Sequence, residues 1–138
     1  MAKNRTIKII IDTNLWISFI ISNKITLLDE LLFSKKIKIL FSTELLDEIA
    51  GTISKPKLKK YFTGNSLEEM LTTLEPFIEL IEVKHNINLC RDPKDNFLLN
   101  LAKSGKADYL LTGDNDLLAI ERIGKCQIIK INSFLELQ

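Results

Sequence analysis

Cysteine and histidine are nearly absent from this chain: Cys90, Cys126 and His85 are all it has. A structural zinc site needs about four clustered nitrogen and sulfur ligands, so that class is excluded. Two thiols in a chain of this size read as free cysteines in a reducing compartment, not as a disulfide framework. Long apolar runs are missing as well, and none approaches the roughly 18 uncharged residues a membrane helix needs. The start, MAKNRTIKIIIDTNLWISFII, is basic and then apolar, but Asp12 and Asn14 interrupt it and no small-residue cleavage site follows. It reads as strand and helix, not as a leader. Charge of one sign is not in excess either; the net value of +1 gives no global basic field. No repeat, low-complexity tract or linker breaks the chain. The expectation is a single cytoplasmic domain over residues 1–138, long enough for one substantial core.

What is present is a regular alternation of strand-like and helix-like runs. Ile7 to Ile11 is β-branched, as a strand buried on both faces would be. Asn14 to Ile21 reads as a helix, and Leu27, Leu28, Leu31 and Leu32 give a second at helical spacing. Ile37 to Phe41 is the next strand, with Ser42 or Thr43 placed to cap the helix that carries Leu45, Leu46, Ile49 and Ile53. Ser54 to Gly64 is polar and lysine-rich, and Ser66-Leu67-Glu68-Glu69 has the form of a capping box for a helix ending near Pro76. Ile78 to Val83 reads as an edge strand. Asp92-Pro93 opens a helix that Gly105 closes. Tyr109 to Leu111 is a strand, Asn115 to Ile120 a helix and Ile128 to Ile131 a last strand, with Ser133 capping a final turn. Such alternation predicts a three-layer α/β/α sandwich around a mainly parallel sheet.

On that architecture four acids gain meaning. Asp12 ends the first strand, Glu48 lies less than two turns into the helix after the second, Asp95 sits in the first turn of its helix, and Asp114 follows the third buried strand. In open α/β sheets the functional crevice lies outside the carboxyl ends of the strands. Each acid alone has a plain structural explanation as a cap, turn or solvated helix residue. Together at one edge they would repel one another unless a proton or a cation resolved the repulsion. An all-oxygen set suits Mg²⁺ or Mn²⁺, and such ions serve phosphodiester hydrolysis. No serine or cysteine with a neighbouring base suggests covalent catalysis, and His85, within KHNIN, reads as a surface residue.

The segments IIIDTNLWIS, FSTELLDEI, RDPKDNFLLNLA and ADYLLTGDNDLL, in that order and at domain spacing, make the chain resemble the PIN-domain family from Ile9 to about Ile131. These are metal-dependent ribonucleases, many of them toxins of toxin–antitoxin pairs. The resemblance implies that Asp12, Glu48, Asp95 and Asp114 hold Mg²⁺ or Mn²⁺, with Asp116 an alternative or additional fourth acid and Asp92 a further acid near the third position. It makes Asn14, Ser42 and Thr112 polar neighbours of those carboxylates. It also implies cleavage of single-stranded RNA, an antitoxin partner, and a homodimer or higher homo-oligomer. Lys55, Lys57, Lys59 and Lys60, near Tyr61 and Phe62, read either as a solvated connector or as contacts to an RNA backbone. Trp16 reads as core or as a dimer contact.

Other acid-rich α/β classes fit less well. A phosphatase of the haloacid-dehalogenase type needs a second aspartate two residues after the first, where this chain has Asn14. A receiver-like module carries an acidic pair ahead of its phosphorylated aspartate, and Ile7 to Ile11 offers none. A PIN fold that binds RNA or protein without cutting is the alternative that stays open.

Overall fold

A computed structural model describes residues 6–22, 24–62, 66–84, 86, 88 and 93–138; His85, Cys90, Asp92 and Gly64 lie outside the described residues. Three expected strands form residue for residue: β1 (Ile7–Ile11), β2 (Ile37–Phe41) and β4 (Tyr109–Leu111). With β3 (Ile78–Leu80), β5 (Arg122–Ile123) and β6 (Cys126–Ile129) they make one sheet in the order β3-β2-β1-β4-β6-β5. Every pairing is parallel except the β5–β6 hairpin. Parallel strands with both faces covered carry continuous apolar sequence, and Ile9, Ile10, Ile11, Leu40, Leu110 and Leu111 are all fully buried.

Among the described residues seven α-helices join or follow the strands: α1 (Thr13–Ser22), α2 (Asp29–Phe33), α3 (Thr43–Ile53), α4 (Ser66–Leu74), α5 (Asn96–Gly105), α6 (Asn115–Leu118) and α7 (Ile131–Glu136). The side chains show three layers. Phe41 packs its ring 5.1 Å from Trp16 of α1, and Tyr109, which shares that face through Ile9 and Ile39, meets Phe134 of α7 at 5.2 Å. Leu40, the neighbour of Phe41, points to the opposite face, as the period of two requires. There it meets Gly105, where a Cβ would sit 2.7 Å from Leu40 Cδ1. α5 ends at Gly105, as the sequence predicts; the left-handed residue after it is Lys106 (φ 53°), and glycine at 105 also lets helix and sheet approach.

Other differences from expectation have local causes. β3 stops at Leu80, short of Val83, because its neighbour β2 ends at Phe41; the last bond across is Ile81 N–H to Phe41 O at 2.7 Å. The final strand is Cys126–Ile129 instead of Ile128–Ile131, because the turn at Gly124 (φ 59°) pairs Cys126 with Ile123. Consequently Ile131 and Ser133 lie inside α7, which follows Lys130. α6 ends at Leu118, and the polar connector after α3 contains a 3₁₀ turn at Lys59–Tyr61. At the amino edge of the sheet, buried Asp108 accepts the Lys8 N–H (2.8 Å) and meets Lys125 Nζ (3.2 Å), tying β1 to the hairpin. No helix among the described residues is long and apolar enough to cross a membrane.

Candidate active site

The strand order places β2 on one side of β1 and β4 on the other, so the chain reverses direction across the sheet beside β1. Such a reversal opens a crevice at the carboxyl ends of the two central strands. Asp12 and Thr112 are the residues that leave those strands, and the Asp12 N–H bonds Leu111 O at 3.1 Å.

Asp12 uses both of its carboxylate oxygens. Oδ1 accepts the Leu15 N–H at 2.8 Å, which caps α1, and Oδ2 accepts the hydroxyl of Thr112. Thr112 in turn accepts the Asp114 N–H at 2.9 Å, and Asp114 Oδ1 accepts the Asp116 N–H at 2.8 Å. One hydroxyl therefore links two acidic segments separated by a hundred residues. Asp12 is only 4% exposed, and burial is the main force raising its pKa above the ordinary 3.8. The bonds from Thr112 and Leu15 oppose that rise, the charge of Asp114 adds to it, and the Gly113 backbone opposes it more weakly. Asp12 and Asp114 are thus close enough for their charges to conflict.

The other residues expected in the acidic site lie on α1, α3 and α6, at the cap of α3 and at the entrance to α5. Ser42 is fully buried and caps α3, its oxygen accepting the Leu45 N–H at 3.1 Å. Glu48 projects from α3 as an exposed residue, and Asn14 is exposed in the first turn of α1. Asp95 is half-buried at the end of a 3₁₀ turn, Pro93–Asp95, that leads into α5. Asp116 is half-buried in the first turn of α6. α3 packs against both α1 and α5, which brings the helix bearing Glu48 beside the one that Asp95 leads into. Among the described residues, however, no three histidine, cysteine or acidic side chains converge on one point. The lysines at 55, 57, 59 and 60 are exposed on the connector after α3. Trp16 is core.

Main-chain groups, which carry no sequence signature of their own, also act on the site. The Leu15 and Gly113 amides bear on Asp12, and only the pattern of an aspartate directly ahead of a helix hints at the first. Asn96 was also missed: it is buried beside Asp95, and its amide donates to Asn88 Oδ1 at 3.4 Å.

These residues fit a hard divalent cation in donor chemistry. Mg²⁺ is typically held by one or two carboxylates and completes its octahedron with water and substrate phosphate. Asp12 and Asp114 supply two carboxylates in charge conflict at the mouth of the crevice, the situation that a cation relieves.

A parallel-sheet α/β protein with an acidic crevice at its strand-reversal point is the class that fold and site define. Within it, the model of the PIN domain matches residues 8–116, and the chain belongs to the PIN-domain family. Members of that family are generally nucleases, and the fold is of nuclease type. The chain is also 38% identical over 131 residues to a Methanocaldococcus jannaschii protein described as uncharacterized protein MJ1680, covering 92% of this chain and 82% of that one.

Proposed function

We propose that this chain is a metal-dependent endoribonuclease that hydrolyses phosphodiester bonds of single-stranded RNA. The observation that carries the reading is the buried Asp12 carboxylate, pinned by Thr112 and opposed by Asp114 at the strand-reversal crevice. Asp12 and Asp114 would hold Mg²⁺ or Mn²⁺, with Glu48, Asp95 and Asp116 completing the acidic rim. When bound, such a cation supplies the positive charge that phosphodiester hydrolysis needs. The chain's own part is orientation. The Leu15 N–H and the Thr112 hydroxyl fix both oxygens of Asp12, so the carboxylate loses little freedom when it takes up its charge partner.

Cleavage of a mixed single-stranded RNA with Mn²⁺, Mg²⁺ or chelator tests this, comparing wild type with Asp95→Asn and Asp12→Asn. Metal-dependent cutting lost in both variants is expected. Cutting that survives chelator and substitution would refute it.

A second reading, a PIN fold that binds RNA or protein without cutting, is favoured by exposed Glu48 and by the lack of a three-acid cluster among the described residues. Metal and RNA binding without cleavage would select it. The biological setting we propose is that of a cytoplasmic toxin, self-associated and silenced by an antitoxin. Support comes from the family and from exposed apolar side chains such as Phe33 on α2, 71% exposed, that a protein partner would cover.

A further inference from the structure

The connector after α3 is unusual in charge and in order. Between Glu48 and Glu68 the sequence carries no acidic residue, while Lys55, Lys57, Lys59 and Lys60 fall within six positions. None of the four has an acidic partner among the described residues. The segment is nonetheless built, not loose. Leu58 N–H and Lys59 N–H both bond Lys55 O (2.9 and 3.1 Å), Tyr61 N–H bonds Leu58 O (3.0 Å) and Phe62 N–H bonds Lys59 O (3.2 Å). Leu58 and Phe62 pack against the core and anchor the turn from both ends. Tyr61, between them, turns outward and is 52% exposed, with Lys60 Nζ 5.1 Å from its ring centroid.

An exposed ring on an ordered turn costs free energy in water, because its apolar area stays hydrated. Lys60 Nζ lies over the ring yet leaves Tyr61 52% exposed. Lys55, Lys57 and Lys59, without acidic partners among the described residues, attract anions but give the ring no further cover. A single-stranded nucleic acid satisfies both: its phosphates meet the lysines and an unstacked base covers the ring. Duplex RNA satisfies only the lysines, because its bases are already stacked. An acidic peptide likewise leaves the ring unused.

We propose that Tyr61 is a base-stacking platform, flanked by Lys57, Lys59 and Lys60 as phosphate contacts, that selects unpaired RNA. This rests on the RNA reading above and adds to it a docking surface outside the acidic crevice.

The test is binding of labelled oligoadenylate, the matching duplex and an abasic strand of equal length, by fluorescence anisotropy in chelator. Wild type is expected to bind oligoadenylate best. Tyr61→Ala should bind it about tenfold more weakly while leaving the abasic strand unchanged, and Tyr61→Phe should retain wild-type binding. The triple Lys57→Ala, Lys59→Ala, Lys60→Ala variant should bind all three ligands more weakly and flatten the salt dependence by about two units of log–log slope. The proposal is overturned if Tyr61→Ala binds oligoadenylate as wild type does, if it loses equally on the abasic strand, or if polyglutamate competes as well as RNA. Chelator keeps the two ideas separate. Binding through Tyr61 by a chain that never cuts would sink the nuclease reading alone, and cutting indifferent to Tyr61 would sink this one alone.

Discussion

Thr112→Val removes one hydroxyl and almost nothing else. Thr112 is 1% exposed, and valine keeps its shape, so any change comes from the two bonds that the hydroxyl makes. Where Asp12 is ionised, the bond that the hydroxyl donates is charge-assisted, an interaction of about 1.5–3 kcal/mol. The bond it accepts leaves the Asp114 N–H without that partner, at a half-buried position where water takes over part of the role. The expected destabilisation is therefore about 2–3 kcal/mol at neutral pH. For a chain of this size that lowers Tm by roughly 10 °C.

The pH dependence follows from the direction of the Asp12 shift. Its folded pKa lies above the ordinary 3.8, so the ionised form is the disfavoured one in the fold. Below the unfolded value both states hold the proton and Asp12 costs nothing. As pH rises through that value the unfolded chain ionises first, and the fold is penalised until Asp12 ionises as well; the penalty then stays constant. Thr112 opposes this penalty, so its removal should matter less in acid and most at neutral pH. Urea unfolding followed by circular dichroism, in chelator and at several pH values, gives both numbers. The same measurement in an Asp12→Asn background should shrink the Thr112→Val effect by about 1 kcal/mol. A Thr112→Val loss under about 0.5 kcal/mol, or an equal loss with and without the Asp12 charge, would refute the argument.

Asp12→Asn should raise Tm in chelator, since the penalised charge is gone while asparagine still caps α1. In the wild type, Mn²⁺ or Mg²⁺ at a hundred times its Kd should stabilise by about 2.7 kcal/mol, and in the variant that gain should vanish; thermal shift titrations check both. Gly105→Leu should cost about 1–3 kcal/mol in urea unfolding despite better helix propensity, because even a Cβ there would lie 2.7 Å from Leu40 Cδ1 and 3.2 Å from Ile81 Cγ1. The Cys126 thiol, pushed up to about 12 by burial and then by the charge of Asp108, should resist a thiol reagent at pH 8 in the folded protein and react at once in denaturant.

How far the sequence carried the fold depended on what set each element. The central strands were legible because a strand buried on both faces writes an unbroken apolar run, and β1, β2 and β4 fall where those runs lie. Edges are governed by partners instead. β3 ends where β2 ends, and the two residues of β5 are too few for any periodicity to reveal. Gly105 is a subtler case: the helix does end there, but the glycine also allows close approach to Leu40 across the layer, which no local pattern encodes.

The site divides along the same line. Asp12 and Thr112 were legible because a polar residue that ends a buried apolar run has only the sheet edge to occupy, and topology then brings two such edges together. Glu48 rides on α3, where a rotation of a few tens of degrees turns a carboxylate from one face to another; sequence gives its position along the chain and not its azimuth. Asp12 is therefore fixed by the bonds it makes at the strand end, while Glu48 stands exposed on its helix. If that is so, Asp12→Asn should abolish the thermal shift that Mn²⁺ gives, whereas Glu48→Gln should remove only part of it. Equal losses would show that Glu48 is as preset as Asp12, and the division between strand-borne and helix-borne acids would fail.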